Sequence, residues 1–136
     1  MTKEINIENK IYEIRGKQVM LDSDLALLYG CANGAKTINL AVKRHINRFP
    51  ERFMFRLNED ECKIISRFQF ETLNGRGHNI KYLPYVFTEE GVVMLATILR
   101  TKTAEKISIR IMDAFVAMRH YIGNSLIFSY VEEVYS

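Results

Sequence analysis

The sequence predicts an α+β fold: a compact single domain of about five helices, with an N-terminal β-hairpin, two further short strands and a helix-turn-helix-like pair. Three observations carry this. Residues 11–21 and 53–57 alternate apolar and polar side chains with the two-residue period of a strand. Residues 104–122 repeat apolar side chains every three and four positions, as an amphipathic helix does. Between them, LDSDLALLYGCANGAKTINLAVKRHINRFP (21–50) joins two short helical patterns across a glycine-bearing turn.

Composition narrows the class. A chain of 136 residues, 48% hydrophobic and 26% charged, can bury roughly two-thirds of its unfolded surface in one core and is not disordered. The net charge is only +3, so its placement matters more than its total. Residues 25–88 hold ten Lys and Arg against five Asp and Glu, a local charge of +5, and no acid occurs between Leu25 and Pro50. Two cysteines, Cys31 and Cys62, and a start (MTKE) without a signal peptide read as free thiols in a reducing cytoplasm. No apolar run reaches the roughly 18 residues of a membrane span, so no membrane partner is expected. Residues 1–10 read as a leader, 11–122 as the domain and 123–136 as an amphipathic tail. That tail could dock on the core, pair with a second subunit or open a further region.

Taken in order, Tyr12 and Ile14 alternate with Glu13 and Arg15, Gly16 supplies a hairpin turn, and Val19 and Leu21 complete the hairpin's buried face. Asp22, Ser23 or Asp24 caps a short helix with an apolar patch of Leu25, Leu27 and Leu28, ended by Gly30. After the Asn33-Gly34 turn, Thr37 caps a helix over residues 38–49. Its inward stripe is Ile38, Ala41, Val42, Ile46 and Phe49; Lys36, Leu40, Lys43, Arg44 and Asn47 face outward, and Pro50 ends it. His45 lies toward the apolar side as a half-buried packing residue. A strand over 53–57 sets Phe53, Phe55 and Leu57 on one face. Asn58 and Glu61 form a capping box for a helix over 59–68 that buries Ile64, Ile65 and Phe68. Residues 69–81 read as an exposed loop. Pro84 confines a strand over 82–87 to an edge or an end. Thr88 caps a helix with Val92, Leu95, Ala96 and Leu99 inward, and Glu89 and Glu90 suit the positive end of its dipole. The longest helix spans 104–122 on a stripe of Ile107, Ile111, Ala114, Phe115, Met118 and Ile122, and Gly123-Asn124 closes it.

Three stretches in this order, IYEIRGKQVMLDSDLALLYG, NLAVKRHINRFPERFMFRLNEDE and NIKYLPYVFTEEGVVMLATILRT, resemble the KilA-N-type DNA-binding domain (the ORF-six N-terminal family) of phage and prophage antirepressor-like proteins. The resemblance runs over about residues 11–119, through the hairpin, the LYG turn, NRFPERF and YVFTEEGV. It implies a compact α/β domain in phage regulation whose groove-reading helix follows LYG.

The expected function is therefore double-stranded DNA binding by a transcriptional regulator in the cytoplasm, associated with the nucleoid. The alternative is an antirepressor module that engages a repressor protein. On the helix, Lys36, Thr37, Asn39, Lys43, Arg44, Asn47 and Arg48 are the candidate contacts. Lys43, Arg44 and Arg48 suit phosphates, while Asn39 and Asn47 can pair bidentately with adenine, Asn39 having a structural role as its other option. Arg67, Arg76, Asn79 and Lys81 form a second candidate set, on and beside the 71–81 loop. A homodimer on paired half-sites is the arrangement symmetric helix-turn-helix proteins usually take. No nucleophile, metal-ligand set or phosphate-binding glycine loop stands out, so the chain reads as a non-enzyme without cofactor or metal; His78 and His120 have no ligand partners at suitable spacing.

Overall fold

The computed structural model describes residues 6–68 and 83–135. Four strands, β1 (Ile11–Ile14), β2 (Lys17–Leu21), β3 (Met54–Arg56) and β4 (Tyr85–Thr88), form one antiparallel sheet in the order β1-β2-β4-β3. Among the described residues five helices accompany it: α1 (Asp22–Tyr29), α2 (Ala35–Arg44), α3 (Glu59–Phe68), α4 (Glu89–Leu99) and α5 (Lys102–Tyr135), with 3-10 turns at Ile7–Lys10 and Ile46–Arg48. The α+β architecture, the N-terminal hairpin and the two further strands are those the sequence predicts.

The hairpin pairs Tyr12 with Val19 and Ile14 with Lys17. Its loop residues Arg15 (φ 55°) and Gly16 (φ 74°) are both left-handed, the two-residue geometry whose twist matches that of the strands. Arg15 accepts this conformation while its side chain is anchored elsewhere. Its Nε and Nη2 donate to the two carboxylate oxygens of Glu61 at 2.8 and 3.0 Å, and Nη2 also reaches the Arg56 carbonyl at 3.1 Å. The guanidinium lies 4.4 Å from the Phe55 ring centroid.

Side chains alternate across a strand, and both faces of this sheet are covered. Ile11, Met20, Met54 and Phe87 join the core built with α1, α2, α4 and α5, while Ile14, Val19, Leu21, Phe55 and Val86 pack with Leu57 and Ile65 beside α3. The sequence pattern predicts one buried hairpin face. Met20, fully buried, shows the second, which exists because helices pack on both sides.

Several local expectations shift. The start of α1 has Leu21 at its cap position and no side-chain cap, so Asp22, Ser23 and Asp24 lie inside the helix. Its buried face runs through Asp22, Leu25, Ala26 and Tyr29 at helical spacing, which turns Leu27 outward to 61% exposure. Gly30 ends it in the left-handed conformation as expected. The next helix begins at Ala35, because Gly34 (φ 64°, ψ −150°) starts the turn there, and Thr37 sits within the first turn instead of capping. It ends at Arg44, earlier than the expected 49, where His45 leaves helical backbone (φ −131°) and its Nδ1 donates to the Ala41 carbonyl at 3.1 Å. Ile46 is consequently exposed, whereas Ile38, Val42 and Phe49 stay buried. The Phe49 ring meets Phe87 edge-on at 6.1 Å.

Strand β3 is shorter than expected, and Phe53 packs on the opposite core from Phe55 and Leu57, since residues 51–53 form a turn. The capping box is reciprocal: Asn58 Oδ1 accepts from the Glu61 N–H at 2.8 Å, and Glu61 Oε1 accepts from the Asn58 N–H at 2.9 Å. Ile65 is buried but Ile64 is exposed, and the Phe68 side chain lies outside the described residues. Pro84 precedes β4, which lets that strand take a central place with its ladder intact. Thr88 caps α4 by accepting from Gly91 N–H at 3.2 Å. Val92 and Leu95 are fully buried, and Leu99 half-buried.

Thr101 Oγ1 accepts from the Ala104 N–H at 3.0 Å at the start of α5. That helix continues through Gly123-Asn124 to Tyr135, overriding the expected stop. One interior glycine costs only about 1 kcal/mol relative to alanine, too little to end a long helix. Ile111, Ala114 and Phe115 are buried against the core, and the buried pair Tyr29 Oη and Ser108 Oγ, 2.8 Å apart, joins α1 to α5. The Ile122 side chain lies outside the described residues. Among the described residues, no helix is long and apolar enough to cross a membrane.

The Arg15 hydrogen bonds hold the Glu61 carboxyl below its usual range, chiefly by stabilising its charged form. A depressed carboxyl contributes stability that is present above its ordinary pKa and lost as pH falls through the folded value. Glu61→Gln is therefore expected to lower Tm at neutral pH and to flatten the acid limb of a Tm-against-pH curve. Equal wild-type and variant curves would show the pair to be inert.

Candidate nucleic-acid interface

The element that positions α2 is a single carboxylate. Asp22, buried at the first position of α1, accepts through Oδ2 from Asn39 Nδ2 at 3.0 Å and from the Tyr85 backbone N–H at 3.2 Å. One oxygen thus ties α1, α2 and β4 together. Burial pushes the Asp22 pKa up, and the hydrogen bonds from Asn39 and Tyr85 oppose this only in part. Ile38 and Val42 seat α2 on the core from within.

With that inner face fixed, the outer face follows. Lys36, Leu40, Lys43 and Arg44 are exposed on α2, Asn47 and Arg48 are exposed on the 3-10 turn after it, and Thr37 is half-buried. The surface thus comprises a helix and a turn, since Asn47 lies past the end of α2. Asn39 takes the structural option: it is half-buried, its amide N–H is committed to Asp22, and its Oδ1 is buried with no hydrogen-bond partner among the described residues. Of the two base-reading candidates, Asn47 is the one on the open surface.

Arg76, Asn79 and Lys81, and the side chain of Arg67, lie outside the described residues. Sequence reasoning passed over two exposed cations, Lys17 at the start of β2 and Arg52 in the turn before β3, whose guanidinium lies 5.1 Å from the Phe53 ring centroid. Arg52 was legible in NRFPERF as a continuation of the basic run. Lys17 had no such signal. Arg56, by contrast, is held by the Leu83 carbonyl at 3.0 Å and stacks on Tyr85.

Cys31 and Cys62 are free, half-buried thiols, and burial pushes both pKa values up. Among the described residues, no three His, Cys, Asp or Glu side chains group as a metal site.

The ORF6N domain family matches residues 9–98. The chain belongs to the ORF6N domain family, a phage-type regulatory domain related to the KilA-N-like phage regulators. The matched span takes in the whole sheet and most of α4 and stops short of α5, earlier than the resemblance to residue 119 suggests. No curated protein and no solved structure matches the chain.

Proposed function

We propose that this chain is a double-stranded DNA-binding domain of a phage or prophage transcriptional regulator, with α2 entering the major groove. One observation carries the reading. The exposed side of α2 and its following turn presents Lys36, Lys43, Arg44, Asn47 and Arg48, in a stretch where no Asp or Glu occurs from Leu25 to Pro50. Lys43, Arg44 and Arg48 meet phosphates, and Asn47 reaches a base edge, where an amide can pair bidentately with adenine. The reading assigns no catalytic step, metal or cofactor, and a homodimer on paired half-sites is its expected assembly.

Each phosphate contact releases counterions, so affinity should fall steeply with salt, with a log-log slope of about 0.9 per contact. In fluorescence anisotropy against duplex DNA, Lys43→Ala and Arg44→Ala are each expected to shallow that slope by about one unit and to weaken all sequences alike. Asn47→Ala should instead change sequence preference. No binding at low salt, even to pooled genomic fragments, would overturn the reading. Selection of bound duplexes from a random pool reports the motif and, through its symmetry, the assembly.

A second reading has its own observation: Leu27, Leu40 and Ile46 are exposed at 61%, 44% and 54%, apolar side chains on the same helix pair and its flanking turn. They suit an antirepressor surface that engages a repressor protein. Capture of a repressor, abolished by Leu40→Asp, together with negligible DNA affinity would favour it.

A further inference from the structure

We propose that the hairpin turn and the segment after α2 form a phosphate clamp, in which Lys17 and Arg52 grip the backbone of the duplex that α2 reads. The inference rests on the DNA-binding reading above and extends its contact surface to a separate part of the fold.

The β1–β2 turn and residues 50–52 face each other across an open groove of about 330 Å³ lined by Arg15, Lys17, Pro50, Glu51, Arg52 and Phe55. A second groove of about 420 Å³ is also lined by Lys17 and Arg52, here with Thr88, Glu89, Arg119 and the exposed Glu90, which forms no ion pair with either cation. The two cations therefore line both grooves, although they are far apart in sequence.

Charge pairing within the fold leaves these two available. Arg15 is bound to Glu61 on both carboxylate oxygens, and Glu89 is taken up by Arg119. Neither Lys17 nor Arg52 forms an ion pair among the described residues. The one other acid in the first groove, Glu51, acts electrostatically on Arg15.

Both cations also have rigid bases, which reduces the ordering cost of gripping a ligand. Lys17 opens β2 directly after the tight turn. The backbone at Arg52 is pinned: its carbonyl accepts from Thr88 Oγ1 at 2.9 Å, and the N–H groups of Phe53 and Met54 donate to the Pro50 carbonyl at 2.8 and 3.1 Å.

Continuity with α2 selects a duplex phosphate as the ligand. Arg52 lies four residues after Arg48, so at most roughly 14 Å of chain separates them. The 3-10 turn at Ile46–Arg48 and the turn at 51–53 shorten this further. A cation held so close to the turn after α2 can reach the backbone beside the groove that α2 enters, where it positions the domain without reading sequence.

The test is duplex binding by the full chain, measured by anisotropy across salt concentrations. The double variant Lys17→Ala/Arg52→Ala is expected to bind 10- to 100-fold more weakly, with a salt slope shallower by about two units. Sequence preference and Tm should be unchanged, because both side chains are exposed. Glu51→Gln should tighten binding several-fold, and Lys106→Ala, on an exposed position of α5, should change nothing. If Lys43→Ala and Arg44→Ala weaken binding while the double variant leaves affinity or slope untouched, the clamp is wrong and α2 remains the reader. If no duplex binds the wild-type chain at low salt, both ideas fall together.

Discussion

Gly91→Ala is expected to destabilise the protein by about 3 kcal/mol or more, the upper end of the range for overpacked cores. A Cβ at position 91 would lie 2.0 Å from the Phe53 carbonyl oxygen, 2.9 Å from its carbonyl carbon and 3.4 Å from the Phe87 ring. The first two are backbone atoms and cannot swing aside. The Phe53 oxygen is held by the Thr88 N–H at 2.9 Å, so moving it disturbs the approach of the β3 segment to the start of α4. Gly91 has an ordinary helical conformation; it is required for close approach, not for an unusual dihedral. For a chain of this size the loss corresponds to a Tm lower by about 10 °C. Val93→Ala, two residues on and half exposed, serves as the control and should be near neutral. A Gly91→Ala protein within about 1 kcal/mol of wild type in urea unfolding would contradict the contact.

The second large effect is at Asp22, where two variants should diverge. Asp22→Ala strands the Asn39 amide and the Tyr85 N–H, and leaving buried donors unpaired costs about 1–3 kcal/mol each, so a loss of about 2–6 kcal/mol is expected. Asp22→Asn keeps an acceptor for both donors and adds an N–H that can serve the buried Asn39 Oδ1. The pH dependence gives the sign. Burial raises the folded pKa of Asp22 above its ordinary value, so its favourable contribution is fully present below that ordinary value and is lost as pH rises through the folded one. Asp22→Asn has no such loss. It should match or exceed wild type at neutral pH, and its relative advantage should shrink as the medium is made acidic. Asp22→Ala should also weaken DNA binding, because the seat of α2 is lost. Urea titrations at several pH values check the first two statements; equal losses for the alanine and asparagine variants would refute the account.

These two residues mark where the sequence stopped being informative. What was readable was local: Gly16 in the tight turn, Gly30 after α1, the reciprocal Asn58–Glu61 box and Thr88 before α4 each act within a few residues. What was not readable depends on distant partners. Nothing near Gly91 in the sequence reveals the Phe53 carbonyl, and a carboxylate at a helix start looks like a cap until Asn39 and Tyr85 are seen beside it. The same holds for Met20, whose face is buried only because helices pack on both sides of the sheet. For the candidate interface, the basic outward face of α2 was legible from periodicity and charge. The early break at His45 was not, and neither was the pairing of Lys17 with Arg52 across a groove.

The strand order has a consequence for when the reading surface can exist. β4 lies between β2 and β3, yet it is the last strand made, and both α1 and α2 belong to the excursion between β2 and β4. Asp22 completes its hydrogen bonding only once Tyr85 is in place. During synthesis, therefore, the helix pair has only the β1–β2 hairpin to settle on until residue 88 has left the ribosome, and pairings this distant in sequence are slow to close. A nascent chain acquires its α2 surface late and all at once, so a product truncated before β4 should compete for neither DNA nor a protein partner.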